Sequence, residues 1–230
     1  MNAEDLAYAF GWVVVFILSA TVHEAAHAWA AKKGGDLTAY AGGQVSLDPL
    51  HHIRREPWGM VVLPVVSAFL IGWPFGYASA PYNAAWAHLY PRKAAWMAVA
   101  GPAANLLLVV NCGIIIKLGI VAGVFTEPEL VSFRHVVASS SEGIWFGLSI
   151  FLSMMFTLNL ILFILNLLPF PPLDGSGVVS LFLKEGPARA YRAAVSSPMM
   201  SMVGILMAWW IFTPVFSAAF PIVMGVLYWG

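Results

Sequence analysis

Five consecutive residues, His23-Glu24-Ala25-Ala26-His27, place two imidazoles and a carboxylate at a spacing suited to a metal ion. Residues four apart share one face of a helix, so both rings can reach a single ion. Glu24 stands one step round the helix, near enough to take a proton from a water beside the ion without ligating it. The H-E-x-x-H pattern is weak alone, and its setting sharpens it. It lies inside an apolar run, 8–31, where a charged group costs roughly 2.5–3.5 kcal/mol on insertion scales. Polar groups that persist at such depth face a protein interior or a water-filled cavity. The plain alternative is a buried, hydrogen-bonded cluster without a metal.

A catalytic zinc site uses three protein ligands and keeps one position open. The candidates for the third are Asp36, Asp48, His51, His52, His88, His135, Asp174 and the remaining glutamates. Asp174 stands out, because it follows the break Pro169-Phe170-Pro171-Pro172 at the end of a later apolar run. Proline cannot continue a regular helix there. Non-helical backbone at membrane depth is tolerated only inside protein or beside water. His23 lies nine residues before Lys32, about 13 Å along a helix, so His23 and Asp174 can meet below one membrane face. Asp174 alone would read as a turn residue in an Asp-Gly pair.

The elements that must position these residues follow from composition. Of 230 residues, 60% are hydrophobic and only 10% charged, against roughly 25% charged in soluble domains. A chain this short cannot hide so much apolar surface from water, so the bilayer is its solvent. The fold class expected is an all-α polytopic membrane protein, a single domain over 1–230 with about 4–6 membrane helices. Spans are expected at 8–31, 94–116 and 143–168, and two short ones at 198–213 and 215–229, divided by Pro214. The segment 60–80 is apolar but broken by Pro64, Gly72, Pro74 and Gly76. Arg54-Arg55 precede it and Arg92-Lys93 follow it, and a re-entrant hairpin keeps both pairs on one side.

Charge sets orientation. The 32–93 segment holds six Lys or Arg, 184–192 three, 117–142 two and the N-terminus none. This bias predicts a cytoplasmic 32–93 segment and an active site toward the cytoplasmic side, in a cell membrane. With 11 basic and 11 acidic residues there is no basic patch for nucleic acid. The acidic start, Glu4-Asp5, does not fit a cleavable signal peptide. The one cysteine, Cys112, reads as a small buried residue.

The HEAAH motif, with Asn166-Leu167-Leu168-Pro169-Phe170-Pro171-Pro172-Leu173-Asp174-Gly175 in a later span, resembles the site-2 protease family of intramembrane zinc metalloproteases. Gly101-Pro102-Ala103-Ala104-Asn105 is similar to the family's G-P-x-x-N, and 44–53 resembles another of its stretches. The resemblance implies one zinc ion per chain held by His23, His27 and Asp174, Glu24 as general base, and Asn166 as a helper for the substrate backbone or oxyanion. A span-to-span hydrogen bond is the alternative for Asn166, and packing is the expectation for Asn105. Asp48 stands where the family often has Asn, and is either solvated or near the substrate path. His51, His52, His88 and His135 read as loop residues. Many relatives carry PDZ or CBS domains, for which this chain has no room, so it resembles a minimal form. Substrate choice then falls to the membrane part or to a separate regulatory membrane partner.

The activity implied is hydrolysis of a peptide bond within or near a transmembrane segment of a membrane protein, in regulated intramembrane proteolysis. The 60–80 hairpin is expected to offer an edge strand to the unwound substrate. A zinc transporter would spread its ligands along a path through several helices, and a scaffold would close the metal with a fourth ligand.

Overall fold

The structure is a computed structural model in which residues 3–229 are described. Helix α1 (Ala3–Gly34) opens with Glu4 and Asp5 and closes with Lys32 and Lys33, charges that complement the helix dipole. Gly35, with φ +99°, turns the chain out. Two short helices follow, α2 (Thr38–Ala41) and α3 (Pro49–Arg55). Asp48 caps α3, accepting from the Leu50 amide at 3.0 Å, with Pro49 at the first helical position.

A π-helical turn, Trp58–Val62, runs into α4 (Leu63–Ile71). Gly72, at φ +74°, stops it, and the chain returns over 73–83 without regular structure. The Tyr77 amide donates to the Gly59 carbonyl at 3.1 Å. A Cβ on Gly59 would run into the Tyr77 carbonyl, and one on Gly76 into Phe16 of α1. The 60–80 segment is therefore a helix and its return, seated on α1, and not the edge strand expected of it. Among the described residues the paired strands are β1 (Phe125–Thr126) and β2 (Ala138–Ser139), in a different loop.

Asn83 caps α5 (Ala84–Leu89), and α6 (Pro91–Val121) follows with Pro102 inside it. After the β1–β2 loop come α7 (Ile144–Leu167), α8 (Asp174–Val178), a 3-10 turn at Val179–Leu181, α9 (Glu185–Val195) and α10 (Pro198–Tyr228). The two short spans expected at 198–213 and 215–229 are one helix of 31 residues that carries Pro214 and Pro221 within it. Each proline forfeits one backbone hydrogen bond, a loss that long membrane helices tolerate.

Four helices, α1, α6, α7 and α10, are long and apolar enough to cross a membrane, and the protein is a multi-pass integral membrane protein with an all-α bundle. The apolar stretches of α1 and α7 are 50% and 56% buried, those of α6 and α10 only 22% and 17%. So α1 and α7 form the centre, α6 packs along both, and α10 leans on the outside, mainly against α7. Trp12, Phe16, Ile116, Met154 and Phe156 lie in the shared core. The β1–β2 loop is pinned to α7 by Ser153, whose hydroxyl accepts from the Val136 and Val137 amides at 2.9 and 3.1 Å.

Candidate metal centre

The motif lies in the latter half of α1, and His23, Glu24 and His27 are 7%, 6% and 5% exposed. Both imidazoles face α6 across Gly101. A Cβ at Gly101 would run into Nε2 of both rings, so only glycine lets the two helices approach this closely. Met97, Gly101 and Asn105 are spaced by four and form one stripe on α6. The His27 Nδ1–H donates to the Met97 carbonyl at 2.7 Å. The His23 Nδ1–H donates to Asn105 Oδ1 at 2.5 Å. Pro102 has no N–H, which leaves the turn beside Met97 one hydrogen bond short.

Asp174 arrives from the other side. α7 ends at Leu167, Leu168 turns extended, and the proline segment carries the chain to α8. Gly175 lies against the Leu167 and Leu168 carbonyls, where any Cβ would collide, and a Cβ on Gly177 would stand 2.8 Å from Ala98 of α6. These two glycines let α8 fold back onto α7 and α6. Asp174 Oδ2 then stands 3.1 Å from His23 Nε2 and 3.2 Å from His27 Nε2, and the two Nε2 atoms are 2.9 Å apart.

This triangle fits a metal ion. With each Nδ1 donating its proton, both Nε2 atoms present lone pairs to each other and to a carboxylate oxygen. Three electron-rich atoms at such distances are held together by a shared proton or by a metal ion between them. Tetrahedral zinc, with bonds of about 2.0–2.1 Å, sets its donors about 3.3–3.4 Å apart, within a few tenths of an ångström of the distances here. Among the described residues this is the one group of three or more His, Cys, Asp or Glu whose donor atoms could hold a metal. Asp174 has a side chain 22% exposed, which leaves one side of the triangle open.

Glu24, buried beside His23, makes no hydrogen bond or ion pair among the described residues. A buried carboxylate kept for structure alone would be paired. Asn166 lies in the last turn of α7, half-buried, and makes no hydrogen bond to the three donors. The other candidates lie elsewhere. Asp48 pairs at the surface with His51 at 3.4 Å. Asp36 joins the end of α1 to the start of α5, accepting from the Asn83 amide at 2.7 Å. His52 is a core residue, 2% exposed, donating to the Ser46 carbonyl at 2.9 Å, where a loop residue is expected. The residue that sequence reasoning undervalued is Asn105. It is fully buried and orients His23. Its signal was its spacing of four from Gly101. The Met97 carbonyl had none, being backbone.

The sequence model of Peptidase family M50 matches residues 11–210. A protein named "Putative zinc metalloprotease YwhC", from Bacillus subtilis (strain 168), is 32% identical over 176 residues, covering 76% of this chain and 69% of its own. One named "Putative zinc metalloprotease Rip2", from Mycolicibacterium smegmatis, is 30% identical over 211 residues, or 89% of this chain and 72% of its own. The protein of that name in Mycobacterium tuberculosis (strain H37Rv) is 28% identical over 235 residues, covering 99% of this chain and 76% of its own. No solved structure matches significantly.

Proposed function

The chain belongs to peptidase family M50 and is an intramembrane zinc metalloprotease of the site-2 type, and on that premise we propose that His23, His27 and Asp174 hold one zinc ion per chain while Glu24 is the general base. The meeting of three donors from α1 and α8 beside an unpaired buried carboxylate carries this reading. A zinc ion there supplies Lewis acidity, lowering the pKa of a water and polarising the scissile carbonyl. Glu24 takes the proton from the attacking water and returns it to the leaving amide nitrogen. Asn105 and the Met97 carbonyl hold the two rings in place. Asn166, eight residues before Asp174, has its amide unengaged with the site and steadies the substrate backbone or the developing oxyanion.

The substrate is a membrane protein cut within or near a transmembrane segment, as in regulated intramembrane proteolysis, with a membrane partner as a source of regulation. The 60–80 segment is re-entrant, which keeps Arg54, Arg55, Arg92 and Lys93 on the side of Lys32 and Lys33. That side is cytoplasmic, and the metal centre opens toward it. The test is Glu24→Gln, assayed on a panel of labelled single-span membrane proteins with purified protein in liposomes. Zinc stays bound at one per chain and cleavage falls by about 10²–10⁴-fold. Cleavage retained by the variant would remove Glu24 from the chemistry.

A further inference from the structure

The two histidines present the same nitrogen to the metal, yet they are held in different ways. His27 Nδ1 faces the Met97 backbone carbonyl, which can only accept, so the ring proton sits on Nδ1 and Nε2 keeps its lone pair. His23 Nδ1 faces a side-chain amide, that of Asn105. An amide has two ends of similar shape, one an acceptor and one a donor. Turned over, Asn105 would present its NH2 to Nδ1, the ring proton would move to Nε2, and the lone pair needed for a metal would be lost. Asn105 by itself does not settle which end faces the ring.

Its far end leads to α7. Asn105 Nδ2 donates to Asn159 Oδ1 at 2.8 Å. Asn159 is a second amide with the same ambiguity, but it touches a group that has none. Its Nδ2 lies 2.8 Å from the Met155 backbone carbonyl, an acceptor only. The Asn159 NH2 must therefore face Met155, and its oxygen must face Asn105. The Asn105 NH2 is then committed to Asn159, and the Asn105 oxygen to His23. The remaining Asn159 hydrogen goes to Ser19 Oγ at 2.9 Å, a hydroxyl that can donate or accept and so imposes no direction. Asn105, Asn159 and Ser19 are all 0% exposed, which leaves no room for solvent to replace a partner.

We propose that Asn159 is a positioning residue for the metal centre, transmitting a direction from the Met155 carbonyl on α7 through Asn105 on α6 to His23 on α1, and so fixing the tautomer in which His23 Nε2 can bind zinc. The proposal rests on the reading of His23 as a metal ligand. Hydrogen-bond partners behind metal ligands typically change affinity 10–100-fold when removed.

The experiment compares wild type, Ser19→Ala, Asn159→Leu, Asn159→Ala and Asn159→Asp, each as the full chain in detergent, by two readouts. The first is the zinc Kd from competition with a chromophoric chelator. The second is 15N NMR of the metal-free protein labelled at the histidine nitrogens, with the His23 signals identified by their loss in His23→Gln. Asn159→Leu weakens zinc 10–100-fold and turns His23 from the Nδ1-protonated form to a mixture. Asn159→Ala does the same and decides the matter if Asn159→Leu does not fold. In Asn159→Asp the buried carboxyl, in its acid form, offers an O–H to Met155 and a carbonyl to Asn105, so this variant restores the wild-type tautomer and affinity to within about threefold. Ser19→Ala stays near wild type by both readouts. A folded Asn159→Leu or Asn159→Ala that keeps wild-type affinity and a single Nδ1-protonated His23 would overturn the proposal. Failure of the wild-type chain to bind zinc would instead remove the metal reading, while the metal-free spectra would still decide the direction of the relay.

Discussion

Gly101→Ala places a methyl group where α1 and α6 meet, and its effect can be worked out from distances. The added Cβ would stand 2.6 Å from His23 Cε1 and closer still to both Nε2 atoms. Ordinary contact between such atoms is about 3.5–4.0 Å, so the helices must part, or the rings must swing, by about 1 Å. Either movement breaks the 2.5 Å and 2.7 Å bonds that hold Nδ1 of His23 and His27 and opens the triangle to Asp174. Overpacking of this kind costs about 1–3 kcal/mol of stability. A displacement of about 1 Å at a reacting centre costs on the order of 10²-fold. The assay is zinc binding by chelator competition together with thermal unfolding of the metal-free chain. Gly113→Ala is the reference. It lies on the same helix, and its Cβ would make ordinary contact with Leu227 and Phe156 at 3.6 Å, so it should bind zinc and unfold as wild type does. Wild-type zinc affinity in Gly101→Ala would refute the close α1–α6 approach on which the site depends.

Three further outcomes follow from the same geometry. A methyl on Gly204 of α10 would run into the Pro171 carbonyl, three residues before Asp174, so Gly204→Ala should lower stability by about 1–3 kcal/mol and weaken zinc binding, measured together by thermal unfolding with and without zinc. Ser153→Ala strands two buried amides, those of Val136 and Val137, and should cost about 1–3 kcal/mol in unfolding while leaving zinc affinity unchanged. Asp36 gives a pH dependence. Burial alone would raise its carboxyl, but the Thr38 hydroxyl and the Asn83 and Thr38 amides outweigh this and hold it below the ordinary value. Its contribution is therefore full above the unfolded-chain value of about 3.9 and is lost as pH falls through the lower folded value. The unfolding temperature should drop on acidification below about pH 4, and Asp36→Asn should flatten that part of the curve.

The candidate motif was legible because two independent regularities coincide in α1, an i, i+4 pair of imidazoles and a long apolar run. Asp174 was legible because prolines announce a broken helix where unpaired backbone needs a reason to exist. α10 was misjudged at Pro214, since the rule that proline ends a helix comes from water, and lipid offers freed backbone no other partner. The breaks in the 60–80 segment were plain, but not what they are for: Gly59 and Gly76 let a helix and its return press against each other and against Phe16, contacts that no local pattern records. Asn105 was half-visible. Its place one turn beyond Gly101 was plain, but its partner His23 lies 82 residues away in sequence, and nothing local records that meeting.

His27 and Asp174 are 147 positions apart, and this separation orders events during synthesis. A nascent chain that has delivered α1, α6 and α7 to the bilayer already carries both imidazoles and Glu24, but not the carboxylate that completes the triangle. No stretch of the polypeptide lacking 168–178 can close the site, however well its spans have inserted. The triangle thus forms only after α1, α6 and α7 have been made, and a product truncated before Asp174 leaves it open.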